Sequence, residues 1–236
     1  MKIGGMQKVS LIDFPGRISC VLFTQGCNFC CQFCHNESLV LPEKFGRLMD
    51  ENEIFKFLGI KRGKIEAVVV SGGEPTLHND IEDFFKRIKK LGFLTKLDTN
   101  GTRPDVLDSL YKANLLDYVA MDIKHRFDMY AEISNVVVDI ESIKRSVGLI
   151  KNSGVDYEFR TTIVSTFHSL YDIKGIILQL SGAKRFVLQE FDPTHTINKN
   201  LTNDNSVFAP QNRIVLDDIV NFGKLHIGEF KIRTVK

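Results

Sequence analysis

Four of the five cysteines in this 236-residue chain fall in one short stretch, Cys27-Asn28-Phe29-Cys30-Cys31-Gln32-Phe33-Cys34. An odd cysteine count with such clustering fits metal ligands better than a secreted disulfide framework. The spacing Cys27-x3-Cys31-x2-Cys34 offers three thiolates, one short of a closed tetrahedral site. A zinc site would take its fourth ligand from Cys30 or His35, although adjacent Cys30 and Cys31 could hardly bind one ion without strain. An iron–sulfur cluster accepts cysteines at such spacings. With three thiolates it leaves one iron open, and an open metal position is what catalysis needs. Cys20 sits inside an apolar run and reads as a core residue.

Four more clusters carry polar chemistry. Gly72-Gly73-Glu74 is either a plain turn or bare backbone whose amides and carbonyls meet a ligand. Asp98-Thr99-Asn100-Gly101 reads as a turn or as a polar lip. Asp122 and Lys124, two apart on a strand, share a face and form an ion pair or meet a ligand. Arg160, flanked by apolar residues, would grip a carboxylate bidentately or pair with Glu158 or Asp156.

The elements that must position these residues alternate. Strands are expected at 18–24, 67–71, 93–97, 118–123, 157–164 and 184–190, and a last one at 230–235. Helices are expected at about 50–61, 80–91, 104–113, 139–151, 169–180 and 211–225. Asp50 and either Asn79 or Asp80 serve as caps, Pro104 opens a first turn, and Gly92 and Gly182 are stops. Residues 191–210 have no clear period and read as a long functional loop. Six β/α units in series argue a parallel sheet, open or closed into a full or partial barrel. The polar clusters follow the first four strands, and in an α/β barrel such loops open on one face. No repeat, low-complexity tract or linker interrupts the chain, so a single domain spanning 1–236 is expected.

A net charge of +2 is too small to imply nucleic acid or an anionic membrane. No run of eighteen apolar residues is present, and the first residues lack a secretory h-region. A cytoplasmic location, with neither membrane nor nucleic-acid partner, is the expectation.

The combination of Cys27-x3-Cys31-x-Phe33-Cys34 with Gly72-Gly73-Glu74-Pro75, in that order, resembles the radical S-adenosylmethionine (SAM) superfamily. Within it the chain is similar to the glycyl-radical-enzyme activating enzymes. The residues carrying that likeness are Ser10 to Gly16, Cys34-His35-Asn36, Asp98 to Gly101 and Met121 to Lys124. The opening and the strand Phe159-Arg160-Thr161-Thr162 look most like the activating proteins of anaerobic ribonucleoside-triphosphate reductases. The likeness covers residues 4 to about 190.

The resemblance implies a partial (β/α)6 barrel whose core spans about 16–190. Cys27, Cys31 and Cys34 would hold a 4Fe–4S cluster. SAM would fill the open iron position by its amine and carboxylate, with Phe33 near the adenine and Asn36 in contact. Gly72, Gly73 and Glu74 would orient the amine. Asp98, Thr99, the Ala120 carbonyl and Asp122 match a monovalent-cation or ribose-side site. Lys124 and Arg160 would counter the SAM carboxylate or guide a peptide loop, and Gln189 and His195 would lie near the ribose or that loop.

Reductive cleavage of SAM would then give a 5′-deoxyadenosyl radical that takes hydrogen from a glycine of a partner enzyme. Cys30 is a departure from the usual pattern. So is the lack of a second cysteine cluster, which implies an external electron donor such as flavodoxin or ferredoxin. The alternative is a radical SAM enzyme on a small molecule, such as a 7-carboxy-7-deazaguanine synthase. Cys34-His35-Asn36, in place of a Cys-Asp-Thr continuation, speaks against it.

Overall fold

The computed structural model describes residues 1–204 and 206–235; Asn205 and Lys236 lie outside the described residues. The chain groups into two compact units. The first comprises Met1–Asn28, Asn36–Ala120 and Glu141–Asp156; the second comprises Phe29–His35, Met121–Ile140 and the chain from Tyr157 onward. The strands are β1 (Ile3–Phe14), β2 (Arg17–Thr24), β3 (Ala67–Gly72), β4 (Leu94–Thr99), β5 (Tyr118–Asp122), β6 (Asp156–Ile163), β7 (Arg185–Glu190) and β8 (Glu229–Arg233). They follow one another in the sheet as they do in the chain. Pairing is antiparallel between β1 and β2 and parallel for β2–β3, β3–β4, β6–β7 and β7–β8.

The helices between them are α1 (Glu37–Val40), α2 (Glu51–Lys61), α3 (Ile81–Lys90), α4 (Pro104–Lys112), α5 (Tyr130–Ser134), α6 (Ile140–Asn152), α7 (Leu170–Gln179) and α8 (Arg213–His226). Local chemistry sets their ends. Asp50 accepts from the Asn52 amide at the start of α2, and Ser169 and Asp172 form a reciprocal capping box on α7. Pro104 opens α4. Asp80 is the N-cap residue of α3, although its side chain makes no capping bond. Beyond α3, Gly92 adopts φ +86°, a left-handed stop that glycine takes without strain.

In the first unit, β3 is buried on both faces. Ala67, Val68, Val69 and Val70 are all fully inaccessible, as expected for a parallel strand covered on two sides. Val69 joins Phe14, Val21, Ala67, Tyr118 and Ala120 in one apolar cluster. On α3, the stripe Ile81, Phe84, Phe85 and Ile88 is buried at helical spacing. In the second unit, Phe159, Phe186, Leu188, Ile173, Ile176 and Ile177 are fully buried.

Three elements have no counterpart in the sequence expectation, one of them the short α5 (Tyr130–Ser134). Another is β1, twelve residues long, which forms a hairpin with β2 across Pro15-Gly16, where Phe14 pairs with Arg17 and Gly16 has φ +71°. Its register slips three times, and that irregularity hides the two-residue alternation. The third is α1, a single turn directly after Asn36, ahead of the helix expected near Asp50.

Candidate active site

In the first unit the ends of β2, β3 and β4 are tied into one polar assembly. The Gly73 amide donates to the Thr24 carbonyl (2.9 Å) and the Glu74 amide to the Gly26 carbonyl (2.8 Å). Both amides thus bond to the root of the cysteine loop. The glycines are needed for that closeness. A Cβ on Gly73 would stand 2.1 Å from the Gly26 carbonyl oxygen. One on Gly72, whose φ is +113°, would stand 2.4 Å from the Thr24 nitrogen. Asn36 Nδ2 donates to the Gly72 carbonyl at 3.3 Å.

Glu74 is fully buried. One oxygen accepts from the Thr76 amide (3.1 Å), the Thr76 hydroxyl (2.5 Å) and the Thr99 hydroxyl (2.8 Å). The other accepts from the Asn100 amide at 2.6 Å. Burial pushes its carboxyl above the ordinary range, against these four donors, which pull it down. The carboxylate therefore couples the β3 turn to the β4 turn.

Asn100 carries the linkage onward. Its Nδ2 donates to Asn28 Oδ1 (2.9 Å), and Asn28 Nδ2 donates to the Thr102 hydroxyl (2.9 Å). The neighbour of Cys27 is thereby fixed. Asp98 accepts from Ser71 (3.2 Å) and pairs with Lys96 (3.0 Å), a buried cation that also donates to the Asp13 carbonyl at 2.6 Å.

In the second unit Asp122 sits between two cations. Arg160 Nε meets Oδ1 at 2.8 Å and Lys124 Nζ meets Oδ2 at 3.0 Å. Arg160 therefore finds its carboxylate in Asp122 through Nε. Burial alone would raise Asp122, but the charges of Arg160 and Lys124 hold it well below the usual carboxylate range. Burial alone would lower Lys124, but Asp122, Cys31 and Cys34 raise it. Lys124 also lies over the Phe33 ring, 5.7 Å from its centroid. Its backbone is held from both sides: the amide donates to the Tyr130 hydroxyl (3.1 Å), and the carbonyl accepts from His168 Nε2 (3.0 Å). His168 in turn stacks on His125, with centroids 4.8 Å apart.

None of the five cysteines forms a disulfide. Cys20 is inaccessible, and burial pushes its thiol to about 12, so it stays an inert core residue. Cys31 is buried and its thiol is pushed up to about 11 by that burial, while Lys124 favours the thiolate. The Cys34 amide donates to the Cys31 carbonyl (3.0 Å), and the Cys30 amide to the Ser134 carbonyl (2.9 Å). Phe33 is buried and packs edge-on against Phe191 at 6.5 Å. Among the described residues no three His, Cys, Asp or Glu side chains gather as they would around a single ion.

Gln189 lies on β7 opposite Thr162, and His195 stands in the left-handed region at φ +56°. Lys96, Asn28, Tyr130 and His168 went unnoticed in the sequence. A lysine inside a strand and a histidine followed by a helix cap were the available signals.

The sequence model of the radical SAM superfamily matches residues 21–171. A Methanocaldococcus jannaschii protein named "Putative glycyl-radical enzyme activating enzyme MJ1227" is 38% identical over 196 residues, covering 81% of this chain and 80% of that one. The pyruvate formate-lyase-activating enzyme of Staphylococcus epidermidis is 34% identical over 132 residues, 51% of each chain. Among solved structures, Streptococcus suis SuiB bound to S-adenosylmethionine superposes with a TM-score of 0.69 at 14% identity, covering 92% of this chain and 52% of that one. The chain thus spans about half the length of that structure, and the likeness is one of fold.

Proposed function

This chain belongs to the radical SAM superfamily and, within it, to the glycyl-radical-enzyme activating enzymes, and we propose that its partner is an anaerobic ribonucleoside-triphosphate reductase. Its cofactors are a 4Fe–4S cluster and SAM, as in the rest of the family. The activase reading is carried by the 38% identity to a glycyl-radical relative over about four fifths of each chain. The reductase as partner is supported by the likeness of Ser10 to Gly16 and of Phe159 to Thr162.

Cys27, Cys31 and Cys34 hold the cluster, by their spacing, and Cys30 stands beside them. When bound, the cluster would supply the electron for reductive cleavage of SAM, the chemistry that would install the glycyl radical on the partner. The chain's own residues bind, orient and shield. Lys124 and Arg160, which both pair with Asp122, are the cations offered to the carboxylate of SAM. Phe33 is the candidate to pack against the adenine. Asn36, with the Gly72 and Gly73 backbone, borders the amine, and Glu74 keeps that turn in place from behind. By the family resemblance, Asp98, Thr99, Asp122 and Gln189 are the candidates for the ribose side or a monovalent cation. The only cysteine outside the loop is buried in β2, so an external flavodoxin or ferredoxin delivers the electron. Among the described residues no helix is long and apolar enough to cross a membrane. The site of action is the cytoplasm.

The test is anaerobic. Reconstituted, reduced protein with SAM should release 5′-deoxyadenosine and raise a glycyl-radical doublet in electron paramagnetic resonance when the reductase is added. A doublet only on another glycyl-radical enzyme would replace the partner. SAM cleavage with no doublet on any would point to a small-molecule substrate.

A further inference from the structure

In the second unit, the chain after β7 returns onto the cysteine loop and touches four successive residues of it. The Asn198 amide donates to the Gln32 carbonyl (2.9 Å), and the Ile197 amide to the Cys34 carbonyl (3.1 Å). Phe33 packs on Phe191. His35 Nε2 donates to the Asp192 carbonyl at 2.8 Å. These contacts leave the loop's Cys31–Cys34 arm with backbone partners on the segment from Phe191 to Asn198.

Asn198 is the knot. Its Nδ2 donates to Gln32 Oε1 (2.9 Å), and its Oδ1 accepts from the Asn200 amide (3.0 Å). Its carbonyl accepts from the buried Thr196 hydroxyl (2.8 Å). With the amide bond to Gln32, every polar group of this one residue is engaged. His195, left-handed at φ +56°, turns the chain just ahead of it. A loop with one anchor opens readily; backbone bonds at two positions with a side-chain clasp restrict it.

We propose that Asn198 is a positioning residue: it clasps Gln32 and so sets the Cys31–Cys34 arm before any cluster is bound. The role toward the cluster rests on reading Cys31 and Cys34 as ligands; the role toward the loop does not. The experiment therefore begins on the full chain without its cluster, with thiol alkylation by iodoacetamide followed by mass spectrometry. Asn198→Ala, which loses both the bond to Gln32 and the one from Asn200, should speed alkylation of Cys34 relative to Cys20 by at least roughly fivefold, the factor for a single lost hydrogen bond of about 1 kcal/mol. General loosening would raise Cys20 alongside it. Gln32→Ala, which removes only the side-chain clasp, should give roughly fivefold, and the double variant should be no faster than Asn198→Ala alone. An unchanged Cys34/Cys20 ratio in both single variants, or full additivity in the double variant, overturns the proposal. If Asn198→Ala does not fold, the Gln32→Ala ratio decides alone.

After reconstitution, both variants should lose iron and sulfide to a chelator several-fold faster than the unmodified chain. Faster alkylation with unchanged iron loss upholds the clasp and removes Cys34 from the ligand set.

Discussion

Gly73→Ala tests whether the Gly-Gly turn is dictated by packing. The added Cβ would lie 2.1 Å from the Gly26 oxygen and 2.7 Å from its carbonyl carbon, where real Cβ contacts essentially never fall below 3.0 Å. The closest contact is therefore short by 0.9 Å, and both clashing atoms are backbone, so no side chain can swing aside. Overpacking of this kind costs about 1–3 kcal/mol. The shift also strains the Glu74 amide bond to Gly26, worth about 1 kcal/mol. Together they amount to about 2–4 kcal/mol, or a fall in Tm of roughly 5–15 °C for a chain of this size. Gly26 adjoins Cys27, so cluster content should fall as well. Gly5→Ala is the matched control, because its Cβ would come no closer than 3.7 Å to Phe23; its effect should stay within about 1 kcal/mol. The measurements are calorimetric melting of the cluster-free chain and iron content after reconstitution. A Gly73→Ala melt within about 2 °C of the unmodified chain, with full iron, would refute the packing argument and return these glycines to ligand contact alone.

Cys30→Ala should keep its iron and sulfide after reconstitution, whereas Cys31→Ala should lose them; the reverse would overturn the ligand assignment. Asp122→Asn leaves Lys124 and Arg160 without their shared carboxylate and should raise the Kd for SAM, read by calorimetry. Because Asp122 has a lowered folded pKa, its contribution to stability is full above the ordinary carboxylate pKa of about 4 and is lost as pH falls further. The Tm gap between this variant and the unmodified chain should therefore close in acid; a constant gap would remove the ion pairs as its cause. Burial holds His168 at about 4, with His125, Asp172 and the Lys124 carbonyl around it. A histidine depressed from about 6.5 costs stability as pH falls from there towards 4, on the order of 3 kcal/mol in all. His168→Gln keeps a donor for the Lys124 carbonyl and should flatten that part of the pH–Tm curve; an unaltered slope would place the titration elsewhere.

The element sequence was legible because its cues were local. Asp50, Pro104, Ser169 and Gly92 act within a turn of their own positions, and the α3 stripe repeats at the helical period. β1 was hidden because a strand with three register slips has no steady alternation, although Pro15-Gly16 marks its hairpin turn. The cysteine spacing was legible because it is chemistry written along the chain. The partners of Lys124 were not: Tyr130 and His168 are 6 and 44 residues away, and only folding brings them to its backbone. The same holds for Asn198, which clasps Gln32 across 166 residues from a segment with no period at all.

A motif can be strict for reasons other than the ligand it accompanies. In Gly72-Gly73-Glu74 two amides bond to the β2 end, two missing side chains make that approach possible, and the carboxylate is filled by four donors from the neighbouring turns. None of these groups is replaceable without moving Gly26 or Asn100, and through them Cys27 and Asn28. The turn would thus hold its sequence even if it never touched SAM. What it can still offer a ligand is carbonyl oxygen, which suits an amine, a donor without acceptors once protonated. Recognition of the negatively charged end must come from other residues. In the second unit Lys124 and Arg160 both pair with Asp122, and under the proposed function they are the cations offered to that end. On this account the acidic and glycine motif holds the root of the cysteine loop whether or not it also meets the amine of a ligand.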